Sequence, residues 1–132
     1  MQDKDVEEHL KWLVPAEQVV QDQLDAYNRR DLEAWLATHA ADAEQHMLHA
    51  GLLAAGTDAI RNRMRERFSD PALQATLKSR TIMDNIVVDH EFVTRTAPDG
   101  LMTIEMICIY EIQRGVIQKA TFAIGQARQS SS

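Results

Sequence analysis

The run LMTIEMICIYEIQRGVIQKATFAI, residues 101–124, holds two apolar stretches, Leu101 to Ile112 and Val116 to Ile124, parted by Gln113-Arg114-Gly115. β-Branched and aromatic residues recur through both, and a short glycine-bearing separator between such runs marks an antiparallel hairpin. Side chains alternate across a strand. Turning Cys108 inward therefore turns Met102, Ile104, Met106 and Tyr110 inward too, and leaves Glu105, Ile107, Ile109 and Glu111 outside. Two isoleucines on an outer face need a cover, most simply a second copy of the chain, so a homodimer through the outer sheet face is expected.

Working outward from that hairpin, Ile82 to Val88 and Phe92 to Thr96 read as further strands, with Asp89-His90-Glu91 and Pro98-Asp99-Gly100 as turns. Helical patterns come earlier. After Pro15, Ala16 to Asn28 puts Val20, Gln23, Leu24 and Tyr27 on one face at three- and four-residue spacing. Asn28-Arg29-Arg30-Asp31 breaks this helix, and Asp31 is placed to cap a shorter one with Leu32, Trp35, Leu36 and His39 inward. Ala43 to Leu48 reads as extended, and Gly51 and Gly56 bracket Leu52 to Ala55 in a small β-hairpin. Thr57 then caps a third helix faced by Ile60, Met64 and Phe68. Helices first and strands last give an α+β fold with a meandering sheet.

A chain of 132 residues with 45% apolar content suffices for one domain with a core. Its 14 basic and 20 acidic residues leave a net charge of −6, which disfavours nucleic acid and anionic membranes and points to a small molecule or a protein as partner. The single cysteine, Cys108, admits no intrachain disulfide. Residues 1–15 are expected to form an N-terminal helical arm, 16–125 the domain, and the polar end 126–132 a disordered tail. MQDKDVEEHLKW has no apolar secretory core, and no run of eighteen apolar residues follows, so a cytoplasmic location is expected.

Val19-Val20-Gln21 leads to Tyr27-Asn28-Arg29-Arg30-Asp31-Leu32-Glu33-Ala34-Trp35, followed by Gly56-Thr57-Asp58-Ala59-Ile60-Arg61 and, near the end, Ile109-Tyr110-Glu111-Ile112-Gln113-Arg114-Gly115-Val116-Ile117. Together these segments resemble the NTF2-like superfamily, in particular SnoaL-like and ketosteroid isomerase-like proteins. The resemblance implies a cone-shaped NTF2-like (cystatin-like) α+β fold, in which three N-terminal helices pack on a strongly curved, mainly antiparallel sheet enclosing a pocket. It does not imply one reaction, because such a fold hosts isomerases, hydrolases, cyclases and plain binding proteins.

Ketosteroid isomerases use an Asp base with a Tyr and a protonated Asp to hold the enolate. In the positions that the resemblance assigns to Tyr, base and second carboxyl stand Gln23, Met47 and Cys108. Methionine accepts no proton and a thiol donates weakly, so that mechanism is not expected here. An epoxide-hydrolase Asp-Arg-Asp set is not evident either, since no closely spaced Arg-x-Asp falls on a strand. His46 beside Met47 is the alternative base, with Tyr27 or Gln23 polarising a carbonyl. Trp35, Met64, Met83, Val93, Met106, Cys108, Tyr110 and Phe122 complete the expected lining, soft where methionines supply it. Arg95 shares a face with Val93 and either reaches the pocket mouth or pairs with Glu91 or Glu105. His46-x-x-His49 lacks further ligands for a metal, and no cofactor is expected. The expected function is therefore binding of a small, largely apolar ligand, cyclic or polyketide- or steroid-like. The alternatives are an isomerase, dehydratase or hydrolase, and a non-catalytic dimerisation module.

Overall fold

A computed structural model describes residues 15–130; apart from Pro15, the expected N-terminal arm lies outside them. Helix α1 spans Ala16–Arg29, α2 Leu32–Leu36 and α3 Thr57–Phe68. The strands are β1 His39–Met47, β2 Gly51–Ala55, β3 Gln74–Met83, β4 Ile86–Ala97, β5 Gly100–Gln113 and β6 Val116–Ser130. They form one six-stranded sheet in the order β2-β1-β6-β5-β4-β3. Every pairing is antiparallel except β1 with β6. Register shifts at Gln45/His46, Leu77/Ser79 and Ile104/Met106 insert extra residues that bend strands and curl the sheet around the helices.

The corner between α1 and α2 shows why Asn28 and Asp31 stand where they do. Arg30 takes a left-handed conformation, φ 59°, and ends α1. Asp31 caps α2 by accepting from the Ala34 N–H at 3.1 Å. Asn28 acts as a one-residue strand. Its Nδ2 donates to the Ala75 carbonyl at 3.0 Å, and its Oδ1 accepts from the Ala75 N–H at 2.8 Å. Arg30 donates to the Leu73 carbonyl at 3.2 Å, so the corner is bolted to the start of β3.

Five sequence expectations change. Thr57 does not cap α3: Gly56 holds the cap position with φ 85°, and the Thr57 hydroxyl instead donates to the Ala41 carbonyl at 3.4 Å. The second helix stops at Leu36, and His39 opens β1 instead of extending the helical face. Asp89-His90-Glu91 is not a turn but the centre of β4; the reversal lies two residues before Ile86, where Asp84 adopts φ 54°. β3 begins at Gln74, well ahead of the expected Ile82, because QATLKSRTIM is a mostly exposed edge strand with little apolar alternation to reveal it. The polar end is not a free tail up to Ser130: β6 pairs with β5 as far as Leu101↔Ser130, backbone bonding sufficing where side chains offer no pattern.

Two buried clusters form the core. Leu24, Tyr27, Trp35, Met64, Phe68 and Val93 belong to the first, and Val20, Val87, Cys108, Tyr110, Ile117 and Ala120 to the second. Met106 packs against both. On the outer face Ile107 and Ile109 are half-buried, paired in register with His90 and Val88. No helix among the described residues is long and apolar enough to cross a membrane.

Asn28→Ala would strand both Ala75 backbone groups. We expect it to lower unfolding stability by about 2 kcal/mol, read from the urea midpoint. An unchanged midpoint would show that the corner carries no load.

Candidate functional site

Between the two clusters lies a cavity with about 50 Å³ of free volume. Gln23, Leu24 and Tyr27 reach it from α1, successive turns of one helical face. Trp35 closes it from α2, and Met64 from α3. From the sheet come Val93 on β4, Met106, Cys108 and Tyr110 on β5, and Phe122 on β6. Gln45 and Met47 line it from β1. Gln23, Met47 and Cys108, the three replaced positions, thus face one another across one space.

Two expected residues do not reach it. Strand alternation puts Gln45 and Met47 inside and His46 outside, where its Nε2 lies 2.7 Å from Glu44 Oε1. His46 is therefore not placed to act as a base in this cavity. Met83 ends β3 at 63% exposure, away from the cavity, because the reversal into β4 comes immediately after it.

The cavity holds groups that the sequence reading left aside. On β4, Val87, Asp89, Glu91, Val93 and Arg95 alternate onto the inner face, so three charged side chains point toward the core. Asp89 is fully buried and neutralised by Arg80, whose Nε and Nη2 donate to its two oxygens at 2.7 and 3.0 Å. This Arg–Asp pair lies outside the cavity lining, so it does not recreate an epoxide-hydrolase set. Glu91 is in the cavity and forms no ion pair among the described residues. Its Oε1 accepts from the Cys108 thiol at 3.4 Å, and Tyr110 in turn interacts with the Cys108 sulfur. Burial pushes the Glu91 carboxyl up to about 7, with the charge of Asp89 adding to the rise. Burial likewise holds the Cys108 and Tyr110 protons in place, and that of Tyr27 too.

His39 is the other titratable group on the wall. Its ring lies 4.2 Å from that of Trp35, tilted by 44°, and its Nδ1 sits 2.9 Å from the Trp35 carbonyl, which assigns the proton to Nδ1. Burial lowers its pKa to about 4, so it is neutral at pH 7 and too weak a base to compete with a carboxyl near 7. Arg63, Arg67 and Arg95 complete the lining. Arg95 takes the first of the two expected alternatives, reaching the pocket and pairing with neither Glu91 nor Glu105.

Four buried side-chain polar atoms have no hydrogen-bond partner among the described residues: Gln23 Oε1, Trp35 Nε1, Gln45 Nε2 and Arg95 Nε. All four belong to residues of this cavity. Gln45 is oriented by Arg63, which donates to its Oε1 at 2.8 Å, so the Nε2 donor is the free end. Buried polar groups are nearly always satisfied, and four exceptions among the residues around one cavity describe a lining that lacks its complement.

A helical layer closing a curled sheet over such a cavity defines the NTF2-like class of α+β domains. The model of the SnoaL-like domain matches residues 20–120, and the chain belongs to that family. No curated protein matches it significantly. Among solved structures, an uncharacterized cystatin-fold protein from Novosphingobium aromaticivorans is 18% identical with a TM-score of 0.75, covering 83% of this chain and 97% of its own. An NTF2-like protein of unknown function from Burkholderia xenovorans is 11% identical, TM-score 0.70, over 94% and 90%. A ketosteroid isomerase-like-fold protein from Catenulispora acidiphila, in complex with trimethylamine, is 12% identical, TM-score 0.69, over 79% and 82%. At such identities the likeness is one of fold.

The raised Glu91 pKa carries a sign. Between about 4.5, where the carboxyl titrates when unfolded, and about 7, the folded chain binds the extra proton, so this group's contribution to stability falls as pH rises through that window. The loss amounts to at most about 3 kcal/mol. His39 acts oppositely, costing stability as pH falls below its unfolded pKa of 6.5. Glu91→Gln isolates the first effect: its melting temperature should gain on wild type from pH 5 to pH 8. A gap that stays constant would mean that Glu91 is ionised throughout.

Proposed function

We propose that this SnoaL-like domain binds a small, mainly apolar molecule in the cavity between its two core clusters. The observation that carries this is the set of unpartnered atoms on Gln23, Trp35, Gln45 and Arg95. A cavity filled only by its own side chains would have no use for three donors and an acceptor buried without protein partners. About 50 Å³ has room for only a few waters or a small molecular fragment. The ligand is accordingly at the small end of the expected range, with Met47, Met64 and Met106 able to repack around a larger body. On this reading a library of polar-tipped cyclic and branched compounds contains members that raise the melting temperature by several degrees at saturating concentration. Gln23→Met, which removes one orphan acceptor at similar size, should cut that rise while making the free protein no less stable. A library without any hit would overturn the proposal.

Glu91 favours a second, catalytic reading, with proton transfer by this carboxyl in place of His46. A buried carboxyl near 7, flanked by a Cys108–Tyr110 chain that holds its own protons, suits the abstraction and return of a proton next to a carbonyl. Tyr27 and the Gln45 amide are the donors available to the developing oxyanion. A bound ketone in deuterated water is expected to exchange its α-hydrogens with wild type and at least a hundredfold slower with Glu91→Gln. Equal exchange would leave a binding protein.

A further inference from the structure

Arg63 and Arg67 lie one turn apart on α3, and Arg95 projects from the inner face of β4. All three line the cavity, and all three also line an adjoining open basin of about 510 Å³, shared with Glu66, Ser69, Asp70, Pro71 and Thr96. They therefore form the passage between the two spaces.

None of the three has a carboxylate partner among the described residues. Arg63 donates to Gln45 Oε1 at 2.8 Å and to the Met64 sulfur at 3.4 Å, both neutral acceptors. Arg95 keeps a buried Nε without any acceptor. The two basin carboxylates do not fill this role. Asp70 is taken by the Thr96 N–H and hydroxyl at 2.8 and 2.7 Å and by the Ala72 N–H at 2.9 Å, while Glu66 is exposed and forms no ion pair among the described residues. Burial, and then the charge of Arg67, hold Arg63 and Arg95 below the usual guanidinium pKa. Three like charges converge at one mouth in a chain whose net charge is −6.

From this arrangement the geometry points to a carboxylate-recognition site: Arg63, Arg67 and Arg95 bind the carboxylate of an organic acid whose apolar body enters the cavity toward Glu91. This rests on the ligand-binding reading above and narrows it to small monocarboxylic acids. A guanidinium matches a carboxylate with two parallel N–H donors, and Arg95 Nε is a donor of that kind waiting for an acceptor. On β4, Arg95 and Glu91 are four residues apart, about 13 Å along an extended strand. Standing roughly perpendicular to the sheet on one face, the two side chains leave between them the length of a ring or short chain. Phosphate monoesters would bring a second negative charge and one further terminal oxygen that the neutral remainder of the cavity does not serve.

The test is calorimetric titration of the full chain with matched pairs of acid and amide: cyclohexanecarboxylate with cyclohexanecarboxamide, and hexanoate with hexanamide. An acid is expected to bind at least tenfold more tightly than its amide. In the Arg67→Gln/Arg95→Gln double variant that preference should shrink below threefold while amide affinity stays unchanged. The variant without ligand should melt within a few degrees of wild type, since the repulsion it loses offsets the lost attraction of Arg95 to Asp70. Acid and amide binding alike, or a preference that survives in the double variant, overturns carboxylate recognition and leaves the ligand-binding cavity intact. Failure of all four probes to bind, or a variant that melts many degrees lower without ligand, overturns it as well, the first counting also against the cavity reading and the second assigning the arginines to the fold.

Discussion

A strand offers its side chains only two directions, and β4 sends Asp89, Glu91 and Arg95 in the one that faces the core. Each burial has to be made tolerable, and three different solutions appear along one strand. Asp89 is neutralised by a two-pronged Arg80. Glu91 has a thiol as its hydrogen-bond partner among the described residues, and burial raises its pKa until it holds a proton over part of the physiological range. Arg95 escapes toward the rim, where part of its guanidinium is still without an acceptor. The gradient from paired, to protonated, to unpaired runs from the closed interior to the open basin, and the chemistry of the site follows it.

The cavity exists because the two core clusters touch through Met106 but do not merge. Aromatic and polar residues from all the layers meet there, and their shapes leave free space and unmet hydrogen bonds together. Residues that would close the gap, such as a methionine in place of Gln23, would remove a buried orphan and add apolar contact. Retaining the polar set instead carries a stability cost of the kind seen where binding, rather than packing, sets the composition of a wall. The interior end of the cavity thus carries a carboxyl and its mouth three arginines, so the two ends differ in charge.

Much of the fold was legible in advance. The β5–β6 hairpin followed from its glycine turn, and the inward set on β5 from alternation about Cys108. The capping role of Asp31 and the buried face of α3 were equally plain. The misses share a cause. β3 is an edge strand and β6 ends in a polar segment, so both are held by backbone bonds that leave no hydrophobic signature. Asp89-His90-Glu91 was read as a turn because charge in a chain ordinarily signals solvent. Read through as one strand, Val87 to Arg95 alternates in step with Val87 and Val93, and that was the available sign that its charges face inward.

The amino-acid sequence alone determined the α+β class, the inward stripe of β5, the replacement of the isomerase residues by Gln23, Met47 and Cys108, and an overall acidity that disfavours polyanions. These are local or additive properties, readable from periodicity, resemblance and composition. Only the tertiary structure decided that Met47 rather than His46 faces the cavity, that Glu91 lies beside Cys108, and that arginines from α3 and β4 meet at one mouth. Strand register, bulges and helix docking set these, and each juxtaposes residues far apart in the chain, where the sequence carries no local mark of the contact.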